Sequence, residues 1–114
     1  MENLKKYISE TQNFPNQGIV FKDINPIYRE PRVWNELMMP LQKLILSKSP
    51  DYLVGIESRG FIAASALAFK LDIGFIPIRK ANKLPGEVIG INYKLEYGED
   101  RLEVQQNIIK KNST

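Results

Sequence analysis

Two short apolar runs separated by an alanine-rich stretch constrain this chain more than any other feature. Tyr52-Leu53-Val54-Gly55-Ile56 and Gly74-Phe75-Ile76-Pro77-Ile78 each read as a strand buried on both faces, and Phe61 to Leu71 between them reads as a buried helix. A connection long enough to hold a helix brings the second strand back parallel to the first. The pattern is therefore βαβ and predicts an α/β fold, a parallel sheet with flanking helices. From Val88 to Val104 apolar and polar residues partly alternate, which predicts two more exposed strands joined near Gly98.

The N-terminal half is less regular. Leu4 to Thr11 reads as a short helix stopped by the turn-prone run Asn13 to Gly18, and Ile19-Val20-Phe21 reads as a short extended segment. Pro31 suits the first turn of a helix along which Val33, Trp34, Leu37, Met38, Leu41, Leu44 and Ile45 keep a helical period. Trp34 and the pair Met38-Met39 read as core residues. Pro40 lies inside that pattern, lacks an N–H and crowds the carbonyl of Glu36, so a kink or break is expected there. No repeat, low-complexity tract or linker divides the chain, and 114 residues suit one domain over 1–114.

Composition matters here through two absences. Without Cys there is no disulfide framework, thiolate nucleophile or Cys-based zinc site, and without His no imidazole acid–base catalyst or two-His metal site. Chemistry must come from carboxylates, Lys, Arg, Tyr or backbone amides, a hard metal ion held by oxygen being the one further option. Sixteen basic against 13 acidic residues leave a net charge of +3, too mild a balance to argue for nucleic acid. Met1 is followed by the polar run Glu2-Asn3-Leu4-Lys5-Lys6, with no apolar core of signal-peptide type. The small-and-apolar run from Gly60 to Phe69 is about half of what a membrane span needs, so a cytoplasmic, non-membrane protein is expected.

Ligands of open parallel sheets bind beyond the carboxyl ends of the strands, and two polar clusters stand at those places. Glu57-Ser58-Arg59-Gly60 follows the first strand and opens the helix, where unpaired N–H groups and the guanidinium of Arg59 make a phosphate seat. It reads equally as an ordinary loop, with Ser58 capping the helix and Arg59 paired to a carboxylate. Arg79-Lys80-Ala81-Asn82-Lys83 follows the second strand, and alone it would read as a solvated basic turn. Adjacent parallel strands place both clusters at one edge, so Arg59, Arg79, Lys80 and Lys83 point to a polyanionic ligand. Glu96-Tyr97-Gly98 reads either as a hairpin tip or as a segment that closes over a ligand.

At these residues the sequence resembles the adenine phosphoribosyltransferases, members of the type I phosphoribosyltransferase family. The resemblance rests on Phe14-Pro15 with Gly18 to Ile24 and Pro26; on Val54 to Phe61; on Ile78-Arg79-Lys80 with Lys83-Leu84-Pro85-Gly86; and on Tyr93, Leu95 to Gly98 and Leu102-Glu103, in order and at family spacing over about residues 7 to 110.

The resemblance implies purine salvage, in which the 5-phosphoribosyl group of phosphoribosyl diphosphate passes to adenine, giving AMP and pyrophosphate, with Mg²⁺ bound through the substrate diphosphate and not directly by the chain. It implies that Phe21 stacks on adenine while the backbone of Val20 and Lys22 reads its polar edge, Lys22 standing where the family often has Arg. Glu57, Ser58, Arg59, Arg79, Lys80 and Lys83 would hold the diphosphate. Glu96, Tyr97 and Arg59 would be catalytic, the first two on a mobile hood loop, with Glu96 handling a proton at adenine. A homodimer is implied too. The family pattern continues beyond a segment like Ile108 to Lys111 into a strand, an acidic pair and a Thr-Gly-Gly-Thr phosphate loop that these 114 residues do not contain. The expectation is thus the N-terminal and central part of the fold, with turnover by this chain in question. A non-catalytic purine- or nucleotide-binding module and an inactive remnant are the alternatives.

Overall fold

Gly55 sets how closely the central helix can lie on the sheet. In the computed structural model, which describes residues 4–114, β3 (Tyr52–Ile56) is followed by α3 (Arg59–Leu71) and β4 (Gly74–Lys80). A Cβ on Gly55 would stand 2.9 Å from the Gly60 carbonyl and 3.0 Å from Ala64 Cβ, so strand and helix approach at a distance only glycine allows. α3 ends where Asp72 turns left-handed at φ 58°, its N–H bonding back to the Ala68 and Phe69 carbonyls. β3 and β4 run parallel, Tyr52 opposite Gly74 and Ile56 opposite Ile78, so the βαβ unit forms as its sequence predicts. Leu67, Ala68 and Ile76 are its buried apolar residues.

The remaining strands make the sheet mixed. β5 (Val88–Leu95) and β6 (Gly98–Gln105) form an antiparallel hairpin with eight register pairs, turning at Glu96-Tyr97. β6 joins β4 antiparallel over two pairs only, Arg79 with Glu103 and Lys80 with Leu102, giving the order β3-β4-β6-β5. β3 is not buried on both faces: Val54 and Ile56 are 45% and 48% exposed. Side chains alternate along a strand, and these two point away from the face on which α3 packs. Phe69 of α3 is likewise exposed.

Residues up to Leu44 make a separate compact unit, the division from Ile45–Thr114 falling inside α2. A 3-10 turn (Leu4–Tyr7) leads into β1 (Ser9–Gln12), which pairs antiparallel with β2 (Val20–Asp23); α1 (Asn25–Arg29) and α2 (Pro31–Lys48) follow. The helix expected over Leu4 to Thr11 is therefore only its first turn. Residues 9–12 are extended because they satisfy the backbone of β2, a partner remote in sequence. The expectation about the run from Met1 begins, at residues 1–3, outside the described residues. Pro40 does not break α2, which continues to Lys48. Pro40 itself is exposed, and the hydrogen bond its missing N–H removes does not end the helix. Val33 and Met38 are buried, but Met39 is 54% exposed, so only half of the methionine pair is core. Among the described residues no helix is long and apolar enough to cross a membrane.

Candidate functional site

The parallel pairing of β3 and β4 sets their following loops side by side. The peptide N–H of Glu57 donates to the Ile78 carbonyl at 3.0 Å, extending the ladder one residue beyond β3. From there Glu57, Ser58, Arg59 and Gly60 turn into α3 and, with Ile56, Lys80 and Lys83, line an open cleft of about 370 Å³. Ser58 is the residue before the helix, but its side chain makes no capping hydrogen bond, so the reading of Ser58 as a simple cap is not met. The Glu57–Ser58 peptide is cis.

Within this group Glu57 serves the other loop. Its Oε1 accepts the Lys80 backbone N–H at 2.5 Å and its Oε2 accepts Arg79 Nη2 at 3.2 Å. The Lys80 N–H, then burial against it, then the Arg79 guanidinium set the carboxyl's acidity, and the balance holds it below its ordinary 4.5. Arg79 turns inward: its Nη1 reaches the Lys83 carbonyl at 3.4 Å, its guanidinium lies 6.0 Å from the centre of the Phe61 ring, and its Nε is buried without a hydrogen-bond partner. Arg79 thus shapes the loop that carries Lys80 and Lys83, and the cleft is lined by Arg59, Lys80 and Lys83. Glu96 and Tyr97 stand at the tip of the β5–β6 hairpin, outside the cleft lining, with Tyr97 90% exposed.

Val20, Phe21 and Lys22 lie on β2 in the N-terminal unit. Phe21 is half-buried and meets Phe14 edge to face at 5.3 Å, while the Lys22 ammonium pairs with Glu10 across the hairpin. The turn between them is drawn in by Asn13 Oδ1, which accepts the Gly18 N–H at 2.9 Å.

A relative from Prochlorococcus marinus (strain NATL1A), an adenine phosphoribosyltransferase, is 74% identical over 113 residues, which are 99% of this chain. The chain belongs to the adenine phosphoribosyltransferase family. It spans 66% of that relative's length, just under two thirds. Among solved adenine phosphoribosyltransferases, that from Saccharomyces cerevisiae, complexed with adenine and an imino-altritol bisphosphate, superposes with a TM-score of 0.86 at 41% identity over 98% of this chain and 66% of the other. The one from Rhodothermus marinus gives 0.89 at 39% identity, over 98% and 64%. No family model matches the chain. The mixed sheet with its helices is accordingly the N-terminal and central part of the adenine phosphoribosyltransferase fold.

Sequence reasoning missed a second polar group beside the loop that carries Lys80 and Lys83. Glu103, 8% exposed, accepts Arg101 Nε at 2.9 Å and the Asn82 N–H at 3.1 Å, and Arg101 lowers its carboxyl below the ordinary value. The Arg101 guanidinium lies across Gly90, where a Cβ would come within 2.5 Å of it. Lys80 Nζ meets Asp100 Oδ2 at 2.9 Å. Alternation along β5 and β6 could have placed Asp100 and Glu103 on opposite faces, but nothing local says that β6 joins β4.

Among the described residues no group of three or more His, Cys, Asp or Glu is placed to hold a metal ion. The cleft does not fit a directly bound divalent cation either, since Glu57, the carboxylate in its lining, has its oxygens committed to Lys80 and Arg79.

Proposed function

We propose that this chain binds adenine and phosphoribosyl diphosphate and serves the transfer of the 5-phosphoribosyl group to adenine, with AMP and pyrophosphate as products. The observation that carries the reading is the cleft at the carboxyl ends of β3 and β4, where Arg59, Lys80 and Lys83 meet the start of α3. As the C1′–oxygen bond breaks, negative charge grows on the departing pyrophosphate. Fixed cations and helix N–H groups stabilise that charge without reorganising. Glu57 and Arg79 hold the second loop in place for it. Arg59, Lys80 and Lys83 would hold the diphosphate together with any Mg²⁺ bound through it, and that ion would neutralise part of the anion's charge.

Phe21 stacks on adenine, with the backbone of Val20 and Lys22 at its polar edge. Adenine N9 forms the new bond to C1′ and gives up its proton, for which Glu96 is the carboxylate at hand when the hairpin tip closes. Tyr97 beside it shields the reacting centre from water. A homodimer, a cytoplasmic location and a single phosphoribosyltransferase domain spanning residues 1–114 follow from the same family likeness and belong to this proposal.

The test is incubation of the chain with adenine, phosphoribosyl diphosphate and Mg²⁺. AMP and pyrophosphate should appear together, and Arg59→Ala should slow their release by about 10²–10³-fold, the usual cost of one well-placed donor. Saturable binding of adenine and pyrophosphate without product would replace turnover by a binding role. No binding of either to folded protein would overturn the reading.

A further inference from the structure

Lys80 belongs to two neighbourhoods at once. It lines the cleft, its backbone N–H held by Glu57 Oε1, while its ammonium reaches 2.9 Å to Asp100 Oδ2 on β6. Asp100 also accepts the Arg101 backbone N–H at 2.8 Å and the phenol of Tyr93. Tyr93 and Asp100 are register partners, and Lys80 pairs with Leu102, two residues along the same strand. The three side chains therefore rise from one face of the sheet.

We propose that Asp100 is a resident rival of the incoming diphosphate for the Lys80 ammonium, so that anion entry loosens the β5–β6 hairpin from β4. The inference rests on the reading of the cleft as a diphosphate site. The hairpin itself is held by eight register pairs, but its junction with β4 has only two. Side-chain ties supplement those two pairs: Lys80 to Asp100, and Glu103 to the Asn82 N–H. The Lys80 and Asp100 side chains are 52% and 22% exposed. A pair that open to solvent is weak, and a diphosphate with several charged oxygens outcompetes one carboxylate for an ammonium. The groups facing Lys80 are Asp100, Tyr93 and Glu57, so Asp100 is the carboxylate bonded to its ammonium and Glu57 holds only its backbone. Releasing Asp100 frees the strand that leads to Glu96 and Tyr97, the residues that must move if the tip is to close. Asp100 is then a positioning residue that couples occupation of the cleft to the hairpin.

The test is calorimetry with inorganic pyrophosphate on the wild-type chain, Asp100→Asn, Asp100→Glu and Glu99→Gln, with hydrogen exchange of residues 98–104 followed in parallel. Asp100→Asn should bind pyrophosphate about two- to five-fold more tightly, the range of an exposed ion pair, and Asp100→Glu should return to wild type. Glu99→Gln removes the same charge from a neighbouring position and should tighten binding less. Pyrophosphate should speed exchange in the wild-type hairpin and leave Asp100→Asn unchanged. If Asp100→Asn binds no more tightly than Glu99→Gln, or if pyrophosphate leaves wild-type exchange unaltered, the rivalry is overturned while the cleft assignment stands. A wild-type chain that binds no pyrophosphate overturns the cleft assignment and the inference together.

Discussion

Gly55 and Arg79 show how single residues of this chain shape a site they do not themselves line. A methyl group at residue 55 would lie 2.8 Å from Phe75 Cε2 and 2.9 Å from the Gly60 carbonyl, inside the turn that presents Ser58 and Arg59. Gly55→Ala should therefore cost about 1–3 kcal/mol, as overpacking does, and weaken pyrophosphate binding, because the Gly60 end of the loop must move. Thermal unfolding and calorimetry check this; an unchanged midpoint would mean that α3 can back away from β3. Arg79 reads in the sequence as one more cation for the anion. In the fold its fork is spent on Glu57 and on the Lys83 carbonyl, with Phe61 beneath it. No local pattern says which of three neighbouring cations turns inward, since that depends on a carboxylate 22 residues earlier.

At the scale of elements, the hairpin and the two loops are tied together by carboxylates, and this makes their stability depend on pH. Lys80 holds Asp100 below its ordinary 3.8, Arg101 holds Glu103 below 4.5, and the Lys80 amide does the same for Glu57. A lowered carboxyl binds protons less readily in the folded state. Its contribution is complete above the ordinary value and is lost as pH falls through the lowered one. The unfolding midpoint should thus hold steady down to about pH 5 and then fall, and the fall should be shallower in Asp100→Asn/Glu103→Gln. Equal steepness in the two proteins would show that other groups set the acid limit. Lys80, raised above 10.5 chiefly by Asp100, and Tyr93, raised above 10.0 chiefly by burial, contribute in the opposite sense, and their share is lost as pH rises past those values. The elements differ in how openly the sequence announces them. The period of α2 and the runs of β3 and β4 carry their own signal, whereas Ser9–Gln12 is polar and exposed throughout and is a strand only through its pairing with β2.

Across the whole molecule, the two units carry different chemistry. The residues proposed for adenine lie before Leu44 and those proposed for the diphosphate after Ile45. Adenine is neutral and pyrophosphate is a polyanion, so their binding should respond to different changes. Phe21→Ala should weaken adenine binding and spare pyrophosphate, and Arg59→Ala should do the reverse. Raising salt from about 0.1 to about 1 M shortens the screening length from about 10 to about 3 Å, and should weaken pyrophosphate binding while leaving adenine binding nearly constant. Calorimetry at the two salt concentrations decides. Adenine binding that falls in step with pyrophosphate would mean that the two ligands do not occupy separate sites.

The sequence by itself determined the βαβ unit, the hairpin near Gly98, the long helix and the chemical character of the loops, because hydrophobic period, turn residues and charge are local properties. The likeness of its motifs to those of the adenine phosphoribosyltransferases extends that reading to adenine and diphosphate. Tertiary structure alone decided that β6 joins β4, that Arg79 faces Glu57, that Glu103 holds Asn82, and that Lys80 is shared between the cleft and Asp100. Each of these is a contact between residues about 20 or more positions apart. Such contacts are chosen by which backbone and charged groups burial leaves in need of partners, and that is settled only when the strands are side by side.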